Sequence, residues 1–181
     1  MPSVQAFEAA VPIRGLHHFA YRCRDCEETR RFYEDLLGLP LVHVIRADHV
    51  PSTGEYCPYV HIFFQMTDGS YIAFFDLGDD VKPQPSPNTP SWVNHLALRV
   101  GSRKELLAAK ERLEAAGVEV VGVTDHHIIE SIYFFDPNGI RLELTTPTMD
   151  EHVMSEFAKR AHQEVRDWTE EKRARRESRH G

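Results

Sequence analysis

Leu16-His17-His18-Phe19-Ala20-Tyr21-Arg22-Cys23 and Val93-Asn94-His95-Leu96-Ala97-Leu98-Arg99-Val100 decide the fold, because they are two copies of one strand pattern. They align His18 with His95, and a helix signal follows each copy. The first helix opens at the capping box Asp25…Glu28 and closes at Gly38; the second opens at Ser102…Glu105 and closes at Gly117. Phe32, Tyr33 and Leu36 in one, and Leu106, Ala109, Leu113 and Ala116 in the other, recur at helical spacing, so each helix carries one core-facing stripe. Strand-like runs come next: 39–46, 59–66 and 70–76 in the first half, then 118–123, 128–135 and 140–145 in the second. Internal similarity at this spacing marks a duplicated structural unit. The expected fold is α+β: two βαβββ modules forming one cup-shaped mixed sheet with helices outside, plus a C-terminal helix.

Boundaries follow from composition. The first module spans 13–76 and the second 92–147, joined by an extended linker, 77–91, that carries Pro83, Pro85, Pro87 and Pro90. Residues 148–181 form a helix and a charged tail, with Val153, Phe157, Ala161, Val165 and Trp168 at helical spacing. That helix either packs on its own domain or serves as a lid or dimer contact.

Alternation along the two leading strands sends Phe19, Tyr21, Cys23, Leu96, Leu98 and Val100 toward the helices. His18, Ala20, Arg22, His95, Ala97 and Arg99 are left on the opposite face. The run Thr124 to Glu143 adds to that face. Its Asp136-Pro137-Asn138-Gly139 segment is a turn between antiparallel strands, after which Arg141, Glu143 and Thr145 share one side. By itself Glu143 could be a solvent-facing carboxylate on a one-sided sheet. Together with two His and two Arg it makes a face unlike an ordinary core. Two imidazoles and one carboxylate leave metal positions open for exogenous ligands, the arrangement suited to Fe(II) and O2.

These residues resemble the vicinal oxygen chelate (glyoxalase/bleomycin resistance/dioxygenase) superfamily, which includes glyoxalase I, fosfomycin-resistance proteins and type I extradiol ring-cleavage dioxygenases. The resemblance covers 13–147. Within it, Thr124 to Glu143 is similar to the extradiol dioxygenase signature, whose opening selects His126 over His127. The resemblance implies a one-domain extradiol dioxygenase, an oxidoreductase of aromatic degradation that cleaves a catechol-like small molecule with O2. It implies Fe(II), with Mn(II) or another divalent metal as alternatives, held by His18, His95 and Glu143. Tyr133 would donate a hydrogen bond to a substrate oxygen, and His126 would support the site by a further hydrogen bond.

Two positions depart from the family pattern. Glu143 lies four residues after Gly139, and the equivalent place after Gly69 is Ala73. Glyoxalase-like members usually fill both with ligands; Ala73 would instead leave room beside the metal. Extradiol enzymes also carry an acid/base His where this chain has Ser70, with Tyr71 next to it. His61 is the substitute, provided its strand bulges: a tight turn at Asp68-Gly69 pairs His61 with Asp76 and points it away from the Ala73 face. Arg22 and Arg99 either bind an anionic substrate or close salt bridges at the mouth of the cup. Two alternatives to ring cleavage stand: a glyoxalase-type metal-dependent isomerase or lyase, and a metal-free protein that binds an aromatic ligand.

With 181 residues, 41% of them hydrophobic, the chain can bury one core. Its net charge of -7 argues against nucleic acid as the partner, despite the basic run Lys172-Arg173-Ala174-Arg175-Arg176. No signal-peptide pattern occupies Met1 to Ala10 and no run reaches membrane-spanning length, so neither membrane nor export is expected. Three Cys without disulfide spacing suit a reducing cytoplasm, and Cys23-x-x-Cys26 reads as a buried thiol followed by a helix-start residue. A homo-oligomer is open on these grounds.

Overall fold

The computed structural model describes residues 13–149 and 151–179. The first module comprises β1 (His18–Cys23), α1 (Cys26–Arg30) continued by a π-helical segment (Arg31–Leu36), β2 (Leu41–His49), β3 (Tyr56–Gln65) and β4 (Tyr71–Asp76). The second comprises β5 (His95–Arg99), α2 (Arg103–Ala115), β6 (Val121–Asp125), β7 (Ile129–Phe135) and β8 (Arg141–Pro147). The two-module βαβββ architecture holds. Its strands hydrogen-bond as two four-stranded mixed sheets, ordered β1-β4-β3-β2 and β5-β8-β7-β6.

The duplication extends to single-residue register. β1 runs parallel to β4 with His18 opposite Tyr71 and Ala20 opposite Ala73, while β5 runs parallel to β8 with His95 opposite Arg141 and Ala97 opposite Glu143. Ala73 therefore occupies the place that Glu143 fills in the second module.

Local chemistry sets the helix ends. The Asp25 carboxylate accepts the Glu28 N–H at 2.6 Å, and the Ser102 hydroxyl accepts the Glu105 N–H at 3.3 Å. The Glu105 side chain completes the second cap one residue early, on the Gly101 N–H at 2.7 Å. At the other end of α2, Gly117 takes φ +81° and the Val118 N–H closes on the Leu113 carbonyl. Residues 118–120 thus leave the helix before the chain can extend, and β6 begins at Val121 rather than at the expected 118.

The core lies on the helix-facing sides of both sheets and is continuous between them. Tyr33 packs its ring against Phe64 and Phe74 at 5.3 and 4.9 Å, and Phe32 meets Phe134 of the second module at 6.3 Å. The Asp136–Gly139 turn then ties the modules together. Asn138 accepts the Arg24 N–H at 3.0 Å and donates to Thr29 Oγ1 at 3.1 Å, while the Tyr33 hydroxyl donates to Asp136 at 3.1 Å. Burial pushes the Asp136 carboxyl above its ordinary range, and hydrogen bonds from Ile140, Asn138 and Tyr33 oppose that rise. With the helix sides occupied, the opposite faces carry exposed His18, Ala20, His95, Ala97 and Arg99.

Arg14–Thr146 form one compact unit, and α3 (Glu151–Glu177) belongs to a second. Along α3, Val165 and Trp168 are exposed, with the Arg175 guanidinium 5.1 Å above the Trp168 ring. Among the described residues no helix is long and apolar enough to cross a membrane.

Candidate metal centre

Glu143 is almost fully buried, at 3% exposure, in the middle of β8. Its Oε2 lies 3.0 Å from Nε2 of His95. The other nitrogen of that ring, Nδ1, lies 2.9 Å from the Val93 carbonyl oxygen, which can only accept, so Nδ1 holds the proton. In the neutral ring Nε2 then presents a lone pair to a carboxylate oxygen. Two acceptors at that distance repel unless a proton or a cation sits between them. An imidazole nitrogen and a carboxylate oxygen, each anchored through its second polar atom, are the donor set of a divalent transition metal, and the residues present fit one. The anchor of Glu143 is Ser131, whose hydroxyl donates to Oε1 at 2.5 Å and also contacts Thr145 Oγ1 at 3.1 Å.

A second polar pair adjoins this one. Tyr133 lies beside His95, with ring centroids 6.1 Å apart, and its hydroxyl is 2.7 Å from His126 Nε2. Burial, then the nearby Glu143 charge, raises the Tyr133 hydroxyl above its ordinary range, so it stays a donor at neutral pH. The Arg141 guanidinium lies over the phenol ring, 4.3 Å from its centroid. Ser131, Thr145 and Arg141 were not among the residues expected from the sequence, although the parity that selects Glu143 selects Arg141 and Thr145 as well.

His18 lies on the first module's sheet. Its Nδ1 contacts His17 Nδ1 at 2.8 Å, and its ring adjoins Phe63 and His61 at 5.6 and 6.2 Å. Among the described residues no three His, Cys, Asp or Glu side chains come together as a metal site. The structure thus brings His95 and Glu143 together and leaves His18 apart from them within one chain.

The register of β3 differs from the tight-turn expectation. Met66 N–H bonds the Ser70 carbonyl and Gly69 N–H the Met66 carbonyl, a loop one residue longer than a two-residue Asp68-Gly69 turn. His61 consequently pairs with Phe75 instead of Asp76, and that single residue moves it to the His18 and Ala73 face. There it stacks on Phe75 at 3.6 Å and lies tilted against Phe63 at 4.2 Å, and its buried Nε2 has no hydrogen-bond partner among the described residues. Burial first, then the neighbouring His18 and His43, lowers its pKa from 6.5 to about 4.

Because that folded pKa is depressed, the unfolded chain binds more protons between pH 6.5 and 4, so the His61 contribution to stability is lost as pH falls through that window. In urea titrations of metal-free protein, His61→Phe should lose less stability between pH 7 and 5 than the parent. It should also be no less stable at pH 7, since the change removes an unpaired buried nitrogen that costs about 1–3 kcal/mol. Identical pH dependence in the two proteins would show that His61 is not held neutral.

The remaining candidates divide. Tyr71 is on the His18 face, but the Ser70 hydroxyl is turned into the hairpin, donating to Asp68 at 2.6 Å. Ala73 is fully buried, with Ala20 and Phe63 beside it on the two neighbouring strands. Arg22 is ion-paired with Asp79, the salt-bridge alternative, whereas Arg99 is exposed. Cys23 is buried, its thiol pushed up to about 12 by that burial, and Cys26 sits at the start of α1, as the inert reading of the pair expects.

Residues 15–144 match the profile of the Glyoxalase/Bleomycin resistance protein/Dioxygenase superfamily. YwkD of Bacillus subtilis (strain 168), an uncharacterized protein, is 30% identical over 135 residues, covering 73% of this chain and 96% of its own. Among solved structures, a glyoxalase/dioxygenase from Nostoc punctiforme is 24% identical at a TM-score of 0.57, covering 81% of this chain and 100% of that one. The genomically encoded fosfomycin resistance protein FosX from Listeria monocytogenes, complexed with Mn(II) and sulfate ion, is 23% identical at a TM-score of 0.55. The match covers 78% of this chain and 99% of FosX. This chain belongs to the Glyoxalase/Bleomycin resistance protein/Dioxygenase superfamily.

Proposed function

We propose that this superfamily member is a metal-dependent oxidoreductase that opens the ring of a catechol-like aromatic with O2, at a centre built on His95 and Glu143. The observation that carries the reading is the Tyr133–His126 pair, joined at 2.7 Å and placed beside an imidazole nitrogen and a carboxylate oxygen 3.0 Å apart. A divalent metal held there supplies Lewis acidity toward a substrate hydroxyl and, as Fe(II) or Mn(II), the redox capacity that O2 chemistry needs.

The chain's own residues do the rest. The Val93 carbonyl fixes the His95 tautomer and Ser131 fixes the Glu143 rotamer, so both donors are oriented in advance. Tyr133 presents its hydroxyl to a phenolic oxygen of the substrate, and His126 takes or returns a proton at Nε2. His61 is a weaker candidate for that task, because an imidazole of pKa about 4 accepts protons poorly near neutrality.

The third ligand is His18 of a second copy. His18 is exposed, it lies on the other sheet, and no set of three ligating side chains gathers among the described residues of one chain. Reciprocal pairing about a twofold axis would set His18 of each copy against His95 and Glu143 of the other, giving two equivalent sites. That assembly would also cover the open ligand-bearing faces of both sheets.

Protein prepared anaerobically with Fe(II), and separately with Mn(II), should consume one O2 per catechol and form a yellow ring-opened product. Conversion of a hemithioacetal under argon with Ni(II), Co(II) or Zn(II) would sink the reading in favour of an isomerase. Tight binding of catechols without turnover under every metal would instead leave a binding protein.

A further inference from the structure

Arg141, like Arg99, carries a charge that no carboxylate meets among the described residues, but only Arg141 stands on the strand of Glu143. Arg22, Arg24, Arg30, Arg31 and Arg103 each have a carboxylate within ion-pair distance, whereas Arg141 has none among the described residues. Its charge is instead parked over Tyr133. Stacking engages the flat face of a guanidinium and leaves its N–H edge free for a planar, two-oxygen acceptor.

Arg141 lines a hollow of about 300 Å³, together with Pro85, Pro87, Ser91, Asn94 and Phe135 among others. The volume suits a small molecule. Phe135, 48% exposed, gives the hollow an apolar surface, and the linker prolines Pro85 and Pro87 add to it. Arg141 is also directly opposite His95 in the sheet and two residues from Glu143 on the same strand. A group held by this guanidinium therefore lies next to the candidate metal centre.

We infer that Arg141 and this hollow form a subsite for an anionic substituent of the substrate, a carboxylate on the ring or on a short side chain. The inference rests on the ring-cleavage reading only for the location of the reacting ring. An anion there supplies the acceptor that Arg141 lacks, while the adjoining apolar wall takes the carbon skeleton that carries it. Arg141 thereby takes over the anion-binding function expected of Arg22, which is already engaged by Asp79.

Two probes isolate the contribution of the anion: 1,2-dihydroxybenzene and 3,4-dihydroxybenzoate, which differ only in the carboxylate. Calorimetric titration of each into the full-length protein as isolated, under argon, removes turnover from the readout. The parent should bind the benzoate about tenfold more tightly or better, as a charge-assisted bidentate pair allows. In Arg141→Gln the ratio of the two affinities should collapse to near one, and Arg141→Lys should retain part of it. Equal binding of both probes by the parent, no measurable binding of the benzoate, or a preference that survives Arg141→Gln would each overturn the subsite. An intact, Arg141-dependent preference in a protein that never consumes O2 would instead overturn the reaction and leave the subsite standing.

Discussion

Glu143→Ala should abolish retention of a divalent metal. The carboxylate is buried and oriented by Ser131, the side-chain oxygens around it are neutral hydroxyls, and truncation leaves His95 as the one strong donor of the pair. Metal content after gel filtration of protein loaded under argon is the measurement, with His95→Ala expected to behave the same way. Ser131→Ala should do less, weakening affinity by roughly ten- to a hundredfold, because it frees the carboxylate rotamer without removing a donor. If Glu143→Ala retains metal as the parent does, the centre lies elsewhere.

The same assay locates the third ligand. His18→Ala and His95→Ala proteins should each be metal-poor alone. If His18 comes from a second copy, unfolding and refolding the two together pairs them at random, and half of the dimers hold one chain of each kind. Each mixed dimer has one site with both changes and one with neither, so about a quarter of the parent sites should return. No recovery in a mixture shown to contain mixed dimers would place His18 in the same site as its own chain's His95.

Much of this was legible in the sequence, for reasons that also explain what was not. Two aligned strand patterns and two capped helices report local physics, and alternation places His18, His95 and Glu143 on helix-averse faces without reference to the rest of the chain. Register is less local. One extra residue in the loop after Met66 carried His61 from one side of the sheet to the other, and Asp68-Gly69 reads equally well as part of a shorter turn. Closure is less local still: parity states which face a ligand is on, and does not state whether two such faces meet within one chain. Ser131 gave no sign at all, because a buried serine on a strand looks like any small residue until the carboxylate it supports is in place.

Tyr133→Phe and His126→Ala should separate proton handling from metal binding. Neither side chain is one of the two metal donors: Tyr133 shares a bond with His126 at 2.7 Å and neighbours the Glu143 carboxylate as a hydrogen-bonding group. Both variants should therefore keep the parent's metal content while losing turnover by roughly ten- to ten-thousandfold, the range expected when a positioned hydrogen bond or proton transfer is removed. The two losses should not add. His126 acts through the Tyr133 hydroxyl, so once Phe stands at 133 the further change His126→Ala should cost little, whereas independent roles would multiply the two effects. The measurement is kcat and KM for a catechol with Fe(II)-loaded protein, across the single and double variants, with metal content determined on the same samples. Loss of metal in Tyr133→Phe would make the phenol part of the binding site's structure. Full activity in both single variants would leave ring cleavage without its proton donor and make the isomerase reading the better one, since the His95 and Glu143 donors serve that chemistry equally well.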